Sequence, residues 1–218
     1  MKRIPFGSPE APPPPSKIVC VGRNYREHAA EMGGVVPEQE PLLFLKAPSA
    51  LVTNGGDIRI PPESQRVDYE GELVLVIGRR IKGWPAKRFL EALAGVCCGN
   101  DVTARDLQKK DGQFSRAKSF DTFCPIGPEI VEGVDPSDLA IETRVSGAVK
   151  QSSRTSRVVF SPAFLVAYVS RMMTLLPGDL IFTGTPAGVG PLSPGDVVEV
   201  EIEGIGILRN RVAGVESV

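Results

Sequence analysis

The segment over residues 69–78 constrains the fold more than any other part of the chain, because it is apolar on both faces of a strand. Alternation gives each face its own apolar side chains: Leu73, Leu75 and Ile77 on one, Val74 and Val76 on the other. A strand of this kind is buried on both sides. The segment therefore predicts a strand in the interior of a folded domain.

Tight turns separate this strand from further short elements. Gly-Asp pairs precede three more β-rich runs, at residues 56–57, 178–179 and 195–196. A helix is predicted from Ser161, the N-cap, to about residue 175. Shorter helices are predicted over residues 24–32, with Asn24 as the N-cap, and over residues 85–93. The 23 Gly and 20 Pro among 218 residues are typical of many turns. The pattern predicts a β-rich α+β domain.

Composition excludes several classes of protein. The net charge of −1 argues against a nucleic-acid-binding surface. The longest apolar run, residues 163–169, is far shorter than the roughly 20 residues of a membrane span, and prolines stand where a signal peptide needs an apolar core. The four cysteines form no C-x-x-C pair, which favours reduced thiols and a cytoplasmic location. Residues 1–16 are predicted to be an extended, Pro-rich lead-in, with ordered structure from Lys17.

The chain contains a single histidine, His28, and this limits its metal chemistry. One chain cannot build a zinc site with two histidines, a facial triad with two histidines or a blue-copper centre. Any metal must be held mainly by oxygen ligands, which favours Mg²⁺, Mn²⁺ or Ca²⁺.

Three carboxylates are candidate ligands for such an ion. Glu70 and Glu72 are two residues apart at one end of the buried strand, so their side chains leave the same face. Asp101 follows the apolar run over residues 93–98, at the end of another predicted strand. The three carboxylates with water fit an octahedral Mg²⁺ or Mn²⁺ site. The alternatives are a solvated strand face for the two glutamates and a turn cap for Asp101.

His28 and Glu31 are a candidate catalytic pair. They are three residues apart on the predicted helix over residues 24–32, so the two side chains can touch. A neighbouring carboxylate orients an imidazole and strengthens it as a general base for water. The alternative is an exposed histidine on a polar helix. Gly33 and Gly34 follow at once and suit a mobile lid.

Further polar residues follow Asp101 along the chain. Arg105 can clamp a substrate carboxylate with two parallel hydrogen bonds, and Gln108 lies near it in sequence. Lys118 is a point charge suited to a developing enolate. A Gly-rich loop over residues 183–190 lacks the Lys-Ser/Thr ending of a phosphate-binding loop, so no nucleotide site is predicted. Its glycines let backbone amides approach an anionic substrate.

In this order the motifs resemble those of the fumarylacetoacetate hydrolase family, in particular its small single-domain members. Six stretches carry the resemblance: Val21-Gly22-Arg23-Asn24-Tyr25 with His28 and Glu31; Phe44-Leu45-Lys46; Val67-Asp68-Tyr69-Glu70-Gly71-Glu72-Leu73; Asn100-Asp101-Val102-Thr103-Ala104-Arg105-Asp106; Ala117-Lys118-Ser119-Phe120-Asp121; and Pro177-Gly178-Asp179 through Gly184-Thr185-Pro186. They extend from residue 17 to about residue 212, nearly the whole chain.

The resemblance implies a mixed β-sandwich or roll, one catalytic domain over residues 17–218 and a homodimer. It implies Mg²⁺ or Mn²⁺ on Glu70, Glu72 and Asp101. It also implies a lid that carries His28 and Glu31. The substrate-facing positions it implies are Lys118, Gln108, Thr185 and Arg23.

Within the resemblance, the substrate is a small 2-oxo or 2,4-dioxo acid and three reactions remain open. The pair of His28 and Glu31 favours activation of water, hence hydrolysis of a C–C bond in an acylpyruvate by way of an enolate stabilised by the cation and Lys118. The alternatives are isomerisation or decarboxylation of a dioate of the 2-hydroxyhepta-2,4-diene-1,7-dioate or 5-carboxymethyl-2-hydroxymuconate type, and decarboxylation of oxaloacetate. A different class, a non-catalytic domain with a structural cation, would need neither the histidine–glutamate pair nor the lysine.

Overall fold

The computed structural model describes residues 1–36 and 38–214; residues 215–218 of the predicted domain lie outside this part. Its strands are, in chain order, β1 (Arg3–Pro5), β2 (Ile18–Gly22), β3 (Leu42–Lys46), β4 (Leu51–Thr53), β5 (Asp57–Arg59), β6 (Val67–Tyr69), β7 (Gly71–Ile77), β8 (Leu93–Asn100), β9 (Thr103–Ala104), β10 (Cys124–Val131), β11 (Ala140–Val145), β12 (Ala148–Arg154), β13 (Leu180–Phe182), β14 (Gly190–Pro191), β15 (Val197–Ile202) and β16 (Gly206–Ala213). Its α-helices are α1 (Arg26–Glu31), α2 (Arg105–Asp111), α3 (Ser115–Lys118) and α4 (Pro162–Met172), and 3₁₀ helices span Pro48–Ala50, Ala86–Ala92 and Thr155–Arg157.

The buried strand predicted over residues 69–78 forms the centre of the largest sheet. This strand, β7, is buried along its whole length and pairs with β8 on one side and β13 on the other. The sheet has eight strands in the order β1-β10-β8-β7-β13-β2-β3, with β4 beside β10. The β-rich α+β class predicted from the sequence is confirmed.

The two faces of β7 pack against different layers, as the alternation of its side chains requires. Leu73 and Leu75 belong to the core shared with helix α4 and with the five-stranded sheet β12-β11-β15-β16-β5. Val74 and Val76 pack on the opposite side, in a cluster that includes Phe182 and reaches Phe6 in the N-terminal segment. A third, small sheet β14-β6-β9 lies beside the polar end of β7.

Several local predictions need correction. Strand β1 pairs with β10, so ordered structure begins before Lys17. Asn24 does not cap helix α1, which begins at Arg26 after the N-cap Tyr25. Its side chain instead donates to the carbonyls of Phe160 and Thr183 and accepts from the Phe160 N–H. These long-range bonds compete with a local cap. The helix predicted over residues 85–93 is a 3₁₀ helix, whereas Ser161 caps α4 as predicted.

No helix in the described ranges is long and apolar enough to cross a membrane.

Asp179 joins the N-terminal segment to the turn before β13. The carboxylate accepts hydrogen bonds from the backbone N–H groups of Ser16, Lys17 and Leu176, and it forms an ion pair with the Lys17 ammonium. Burial opposes ionisation of this carboxyl, but the bonds from Lys17, Leu176 and Ser16 outweigh it and lower the pKa of Asp179. The ionised carboxylate therefore holds the N-terminal segment against the turn before β13.

We expect Asp179→Ala to lower the free energy of unfolding by about 3 kcal/mol, because buried N–H donors lose their acceptor. Folding lowers the pKa of Asp179, so its stabilisation is complete above the unfolded pKa of about 4 and is lost as pH falls through the folded value. Urea denaturation at several pH values measures both effects. The control is Asp138→Ala, which removes an exposed partner of Arg154 and should change stability little. Equal losses in the two variants would contradict the buried role.

Candidate active site

The three predicted metal-binding carboxylates meet at one end of the large sheet. Gly71, the first residue of β7, pairs with Asn100 of β8, and the Asp101 N–H donates to the Glu70 carbonyl at 2.8 Å. Glu70, Glu72 and Asp101 each offer an oxygen within 4.8 Å of the others, and all three side chains are buried. The solvated strand face and the simple turn cap are thereby excluded.

Gly71 stands between the two glutamates and has no space for a side chain. A Cβ atom there would lie 2.0 Å from Thr143 Oγ1 on β11. This close approach brings the second sheet against the start of β7, so the backbone that carries Glu70 and Glu72 is clamped between layers.

Basic side chains neutralise two of the three carboxylates. Lys118 Nζ bonds Glu70 Oε2 at 2.9 Å and Asp101 Oδ2 at 2.5 Å, and Lys46 Nζ bonds Asp101 Oδ1 at 2.5 Å. Arg105 forms an ion pair with the other oxygen of Glu70. Burial alone would favour neutral Glu70, but Lys118 and Arg105 hold its pKa well below the usual range. Burial would likewise lower the pKa of Lys118, but Asp101 and Glu70 raise it.

Glu72 is the carboxylate that these cations leave uncompensated. Its Oε2 accepts a hydrogen bond from the Gly184 N–H at 2.6 Å, and no cation in residues 1–36 and 38–214 pairs with it. Burial and repulsion from Asp101 and Glu70 raise its pKa well above the ordinary value. If the lysines and the arginine satisfied all three carboxylates, they would argue against a metal. Because one buried carboxylate remains without a cation, the oxygen ligand set fits a bound divalent ion.

A cavity of about 300 Å³ opens onto these carboxylates. Apolar walls come from Met32, Phe44 and Phe114. Of the site residues predicted from the sequence, all but Glu31 line it: Arg23, His28, Glu70, Glu72, Asp101, Arg105, Gln108, Lys118 and Thr185.

His28 is buried on α1 and faces this cavity, rather than lying exposed on a polar helix. Its Nδ1 lies 3.6 Å from Glu31 Oε2, too far for a hydrogen bond, and has no other partner in the described chain. The Glu31 carboxylate instead accepts from the Gly188 N–H of the Gly-rich loop, at 3.1 and 3.2 Å. Burial lowers the pKa of His28, so the imidazole is neutral at neutral pH and able to accept a proton.

Arg105 and Gln108 are bonded to each other at the cavity wall. The arginine uses three of its five N–H groups within the protein, on Asp68, Glu70 and Gln108. Gln108 Oε1 is the acceptor of one of these bonds at 2.7 Å, which leaves its amide N–H₂ without an assigned partner in the described residues. Arg105 therefore orients Glu70 and Gln108, and its two remaining N–H groups are what it can offer a substrate.

Thr185 and Arg23 reach the cavity from two loops. The Thr185 hydroxyl donates to the Gly71 carbonyl at 2.9 Å, so its proton is already engaged. Arg23 has a left-handed backbone with φ of 57°, and its guanidinium packs against Gly34 just beyond helix α1. Both residues line the cavity, although the Thr185 hydroxyl is bonded to the protein backbone.

Lys46 and Asp68 are two further buried members of this charged cluster that were not predicted as site residues. Lys46 ends β3 and is fully buried, with its ammonium on Asp101. The Asp68 carboxylate accepts hydrogen bonds from the Nε–H groups of Arg66 and Arg105, each at 2.9 Å. The signal available for Lys46 was a lysine at the end of an otherwise apolar strand. Asp68 alternates with Glu70 and Glu72 along the chain, which was a comparable signal.

Comparison with known proteins identifies the family of this fold and site. Residues 17–213 match the model of the fumarylacetoacetate hydrolase C-terminal family. The chain belongs to the fumarylacetoacetate hydrolase family. It is 45% identical over 210 residues to the mitochondrial oxaloacetate tautomerase FAHD2A of Bos taurus, covering 91% of this chain and 67% of that protein.

Two solved structures of the family share the fold closely. The 2-hydroxyhepta-2,4-diene-1,7-dioate isomerase of Mycobacterium marinum is 49% identical with a TM-score of 0.87, covering 95% of this chain and 78% of that one. The fumarylpyruvate hydrolase of Pseudomonas aeruginosa, in complex with Mn²⁺ and pyruvate, is 37% identical with a TM-score of 0.89, covering 98% and 95%. Related members of this enzyme family thus include a hydrolase, an isomerase and a tautomerase.

We expect the pKa of His28 to lie below its unfolded value of about 6.5, because burial disfavours the imidazolium. Since His28 is the only histidine, NMR titration of the ring signals is unambiguous. The same titration in urea supplies the unfolded reference. The folded protein then binds fewer protons than the unfolded chain below that value, so this group makes stability fall as pH falls. Equal pKa values in the two states would contradict burial of the imidazole.

Proposed function

We propose that this chain is a divalent-metal-dependent hydrolase that cleaves a C–C bond of an acylpyruvate-type 2,4-dioxo acid. One observation carries the proposal: a buried imidazole, His28, lines the same cavity as three clustered carboxylates and a buried lysine. A non-catalytic cation site would need neither the base nor the lysine.

Glu70, Glu72 and Asp101 would hold the ion, Mg²⁺ or Mn²⁺. When bound, the ion would bring positive charge to the carboxylate and 2-oxo oxygens of the substrate. The Pseudomonas aeruginosa relative, a fumarylpyruvate hydrolase in complex with Mn²⁺ and pyruvate, supports both the ion and the class of substrate.

The chain's own residues supply the proton transfers and the remaining charge. His28 can accept a proton from a water molecule that attacks the acyl carbonyl carbon. Cleavage of the C–C bond then leaves a carboxylic acid and the enolate of pyruvate, and the proton held by His28 passes to the enolate carbon to give pyruvate. The Lys118 ammonium, fixed by two carboxylates, lies at the cavity wall to stabilise the enolate oxygen. The apolar side chains of Phe44 and Phe114 restrict water around this charge.

Proton transfer without hydrolysis is the second candidate. The 3.6 Å separation of His28 and Glu31 favours it, because a tautomerase, an isomerase or a decarboxylase needs no water oriented by a hydrogen-bonded dyad. The oxaloacetate tautomerase and the dioate isomerase among the relatives support a 2-oxo dicarboxylic acid as its substrate.

We further propose that the protein is a two-fold homodimer, on the family resemblance, and that it lies in the cytoplasm, on its reduced cysteines. Light scattering tests the assembly, and a monomer mass would contradict it.

A panel of 2-oxo and 2,4-dioxo acids, assayed with Mg²⁺ and with Mn²⁺, separates these functions. Release of pyruvate from an acylpyruvate would support hydrolysis. Enol–keto conversion or carbon dioxide release from oxaloacetate, with no acylpyruvate cleavage, would replace hydrolysis by the second candidate. An absence of turnover on every acid would overturn both.

We expect His28→Ala to lower the hydrolysis rate by about 10²–10⁴-fold, the range typical of general-base catalysis. Affinity for Mn²⁺ should hardly change, because His28 is not a proposed ligand. Glu72→Ala should lose Mn²⁺ binding and activity together. Steady-state kinetics with saturating metal and a Mn²⁺ titration measure the two properties separately.

The matched control is Glu27→Ala, an exposed change on the same helix as His28. It should keep both activity and metal binding. Equal hydrolysis rates for wild type and His28→Ala would show that the imidazole is not the base.

A further inference from the structure

Gln151 is the one buried residue of β12, a strand that is otherwise exposed or half-buried. This strand forms an edge of the five-stranded sheet. A polar side chain that alone turns inward from an exposed edge strand needs hydrogen-bond partners inside the protein.

An irregularity in the strand pairing accompanies this inward turn. Gln151 pairs with Thr143 of β11, but the next pair is Val149 with Arg144, so Lys150 is an extra residue on β12. Such a bulge bends an edge strand and redirects a side chain, and bulges are common beside active sites. The backbone at Lys150 also approaches the Gly-rich loop, because a Cβ on Gly188 would lie 2.0 Å from the Lys150 carbonyl oxygen.

The side-chain amide of Gln151 connects Gly71, at the start of β7, to the Gly-rich loop at Thr185 and Pro186. Its Oε1 accepts from the Gly71 N–H at 2.9 Å, and its Nε2 donates to Thr185 Oγ1 at 2.8 Å and to the Pro186 carbonyl at 2.7 Å. The Gly71 N–H can only donate and the Pro186 carbonyl can only accept, so these partners fix the orientation of the amide.

These bonds belong to a closed ring of hydrogen bonds between Gly71, Gln151 and Thr185. Thr185 Oγ1, which accepts from Gln151, donates in turn to the Gly71 carbonyl at 2.9 Å. The ring therefore uses both backbone groups of Gly71, the residue between Glu70 and Glu72. It also ties that residue to the loop whose Gly184 N–H holds the Glu72 carboxylate.

We propose that Gln151 is a positioning residue for metal binding: it ties Gly71 to the loop at Thr185 and Pro186 and thereby holds Glu70 and Glu72 in register as ligands. It touches neither the ion nor the substrate. This inference rests on the proposed metal dependence of the site. Residues that support metal ligands in this way typically contribute about 10–100-fold to metal affinity or activity.

Gln151→Met tests the proposal, because it keeps the length of the side chain and removes every hydrogen bond. Titration of the full-chain protein with Mn²⁺ at neutral pH, followed by the electron paramagnetic resonance signal of free Mn²⁺, should give a Kd about 10–100-fold higher than wild type. Gln151→Asn keeps the amide but is one methylene too short to span all three partners. It should also weaken binding, which keeps the test decisive if the methionine variant does not fold.

The matched control is Asn210→Leu. Asn210 is another buried amide of the five-stranded sheet, and it donates to the carbonyls of Thr53 and Gly56, away from the cavity. This variant should lose stability but keep the wild-type Kd for Mn²⁺. An equal loss of Mn²⁺ affinity in Asn210→Leu would show general loosening and overturn the positioning role.

Two further outcomes separate this inference from the proposed function. A wild-type Kd in both Gln151 variants would overturn the positioning role and leave the metal site intact. A wild-type protein that binds no Mn²⁺ would overturn the proposed metal dependence, and the inference with it.

Discussion

The ion pairs of Lys118 with Glu70 and Asp101 are the interaction on which the rest of the site depends. Three carboxylates cannot lie together at one buried end of a sheet unless cations offset their repulsion and the loss of hydration. Lys118 joins α3 to the ends of two neighbouring strands, and Lys46 adds the edge strand β3 through the second oxygen of Asp101. The end of the sheet that carries the three carboxylates is therefore held together by charge.

The charge balance of this cluster also explains why it suits a substrate-processing site. The basic residues compensate Glu70 and Asp101 but leave Glu72 with a raised pKa. An enclosed set of carboxylate ligands that is short of one positive charge favours binding of a cation from solution. The imidazole of His28 and the ammonium of Lys118 line the same cavity. The buried charged groups, which apolar packing alone could not hold in the interior, are thus the groups proposed to carry out the chemistry.

Local periodicity made much of the fold and the acidic part of the site predictable. Alternation over residues 69–78 gave both the buried strand and the common face of Glu70 and Glu72, because a strand repeats every two residues. The parts that were missed depend on distant partners. Asn24 was predicted as a helix cap, but its side chain instead bonds the carbonyls of Phe160 and Thr183 in the interior. No local spacing in the sequence places Gln151 beside Gly71. Glu31 is likewise closer in sequence to His28 than to Gly188, but its carboxylate accepts a hydrogen bond from the Gly188 N–H.

The close approach at Gly71 has a consequence for how such sequences can diverge. Its missing side chain is replaced in space by the Thr143 hydroxyl of another sheet, 2.0 Å from where a Cβ would stand. Neither position can change alone: a larger residue at 71 demands a smaller one at 143 or a wider gap between the sheets. In homologous proteins the two positions should therefore vary together, although they are 72 positions apart along the chain. Such covariation would record the contact between the layers.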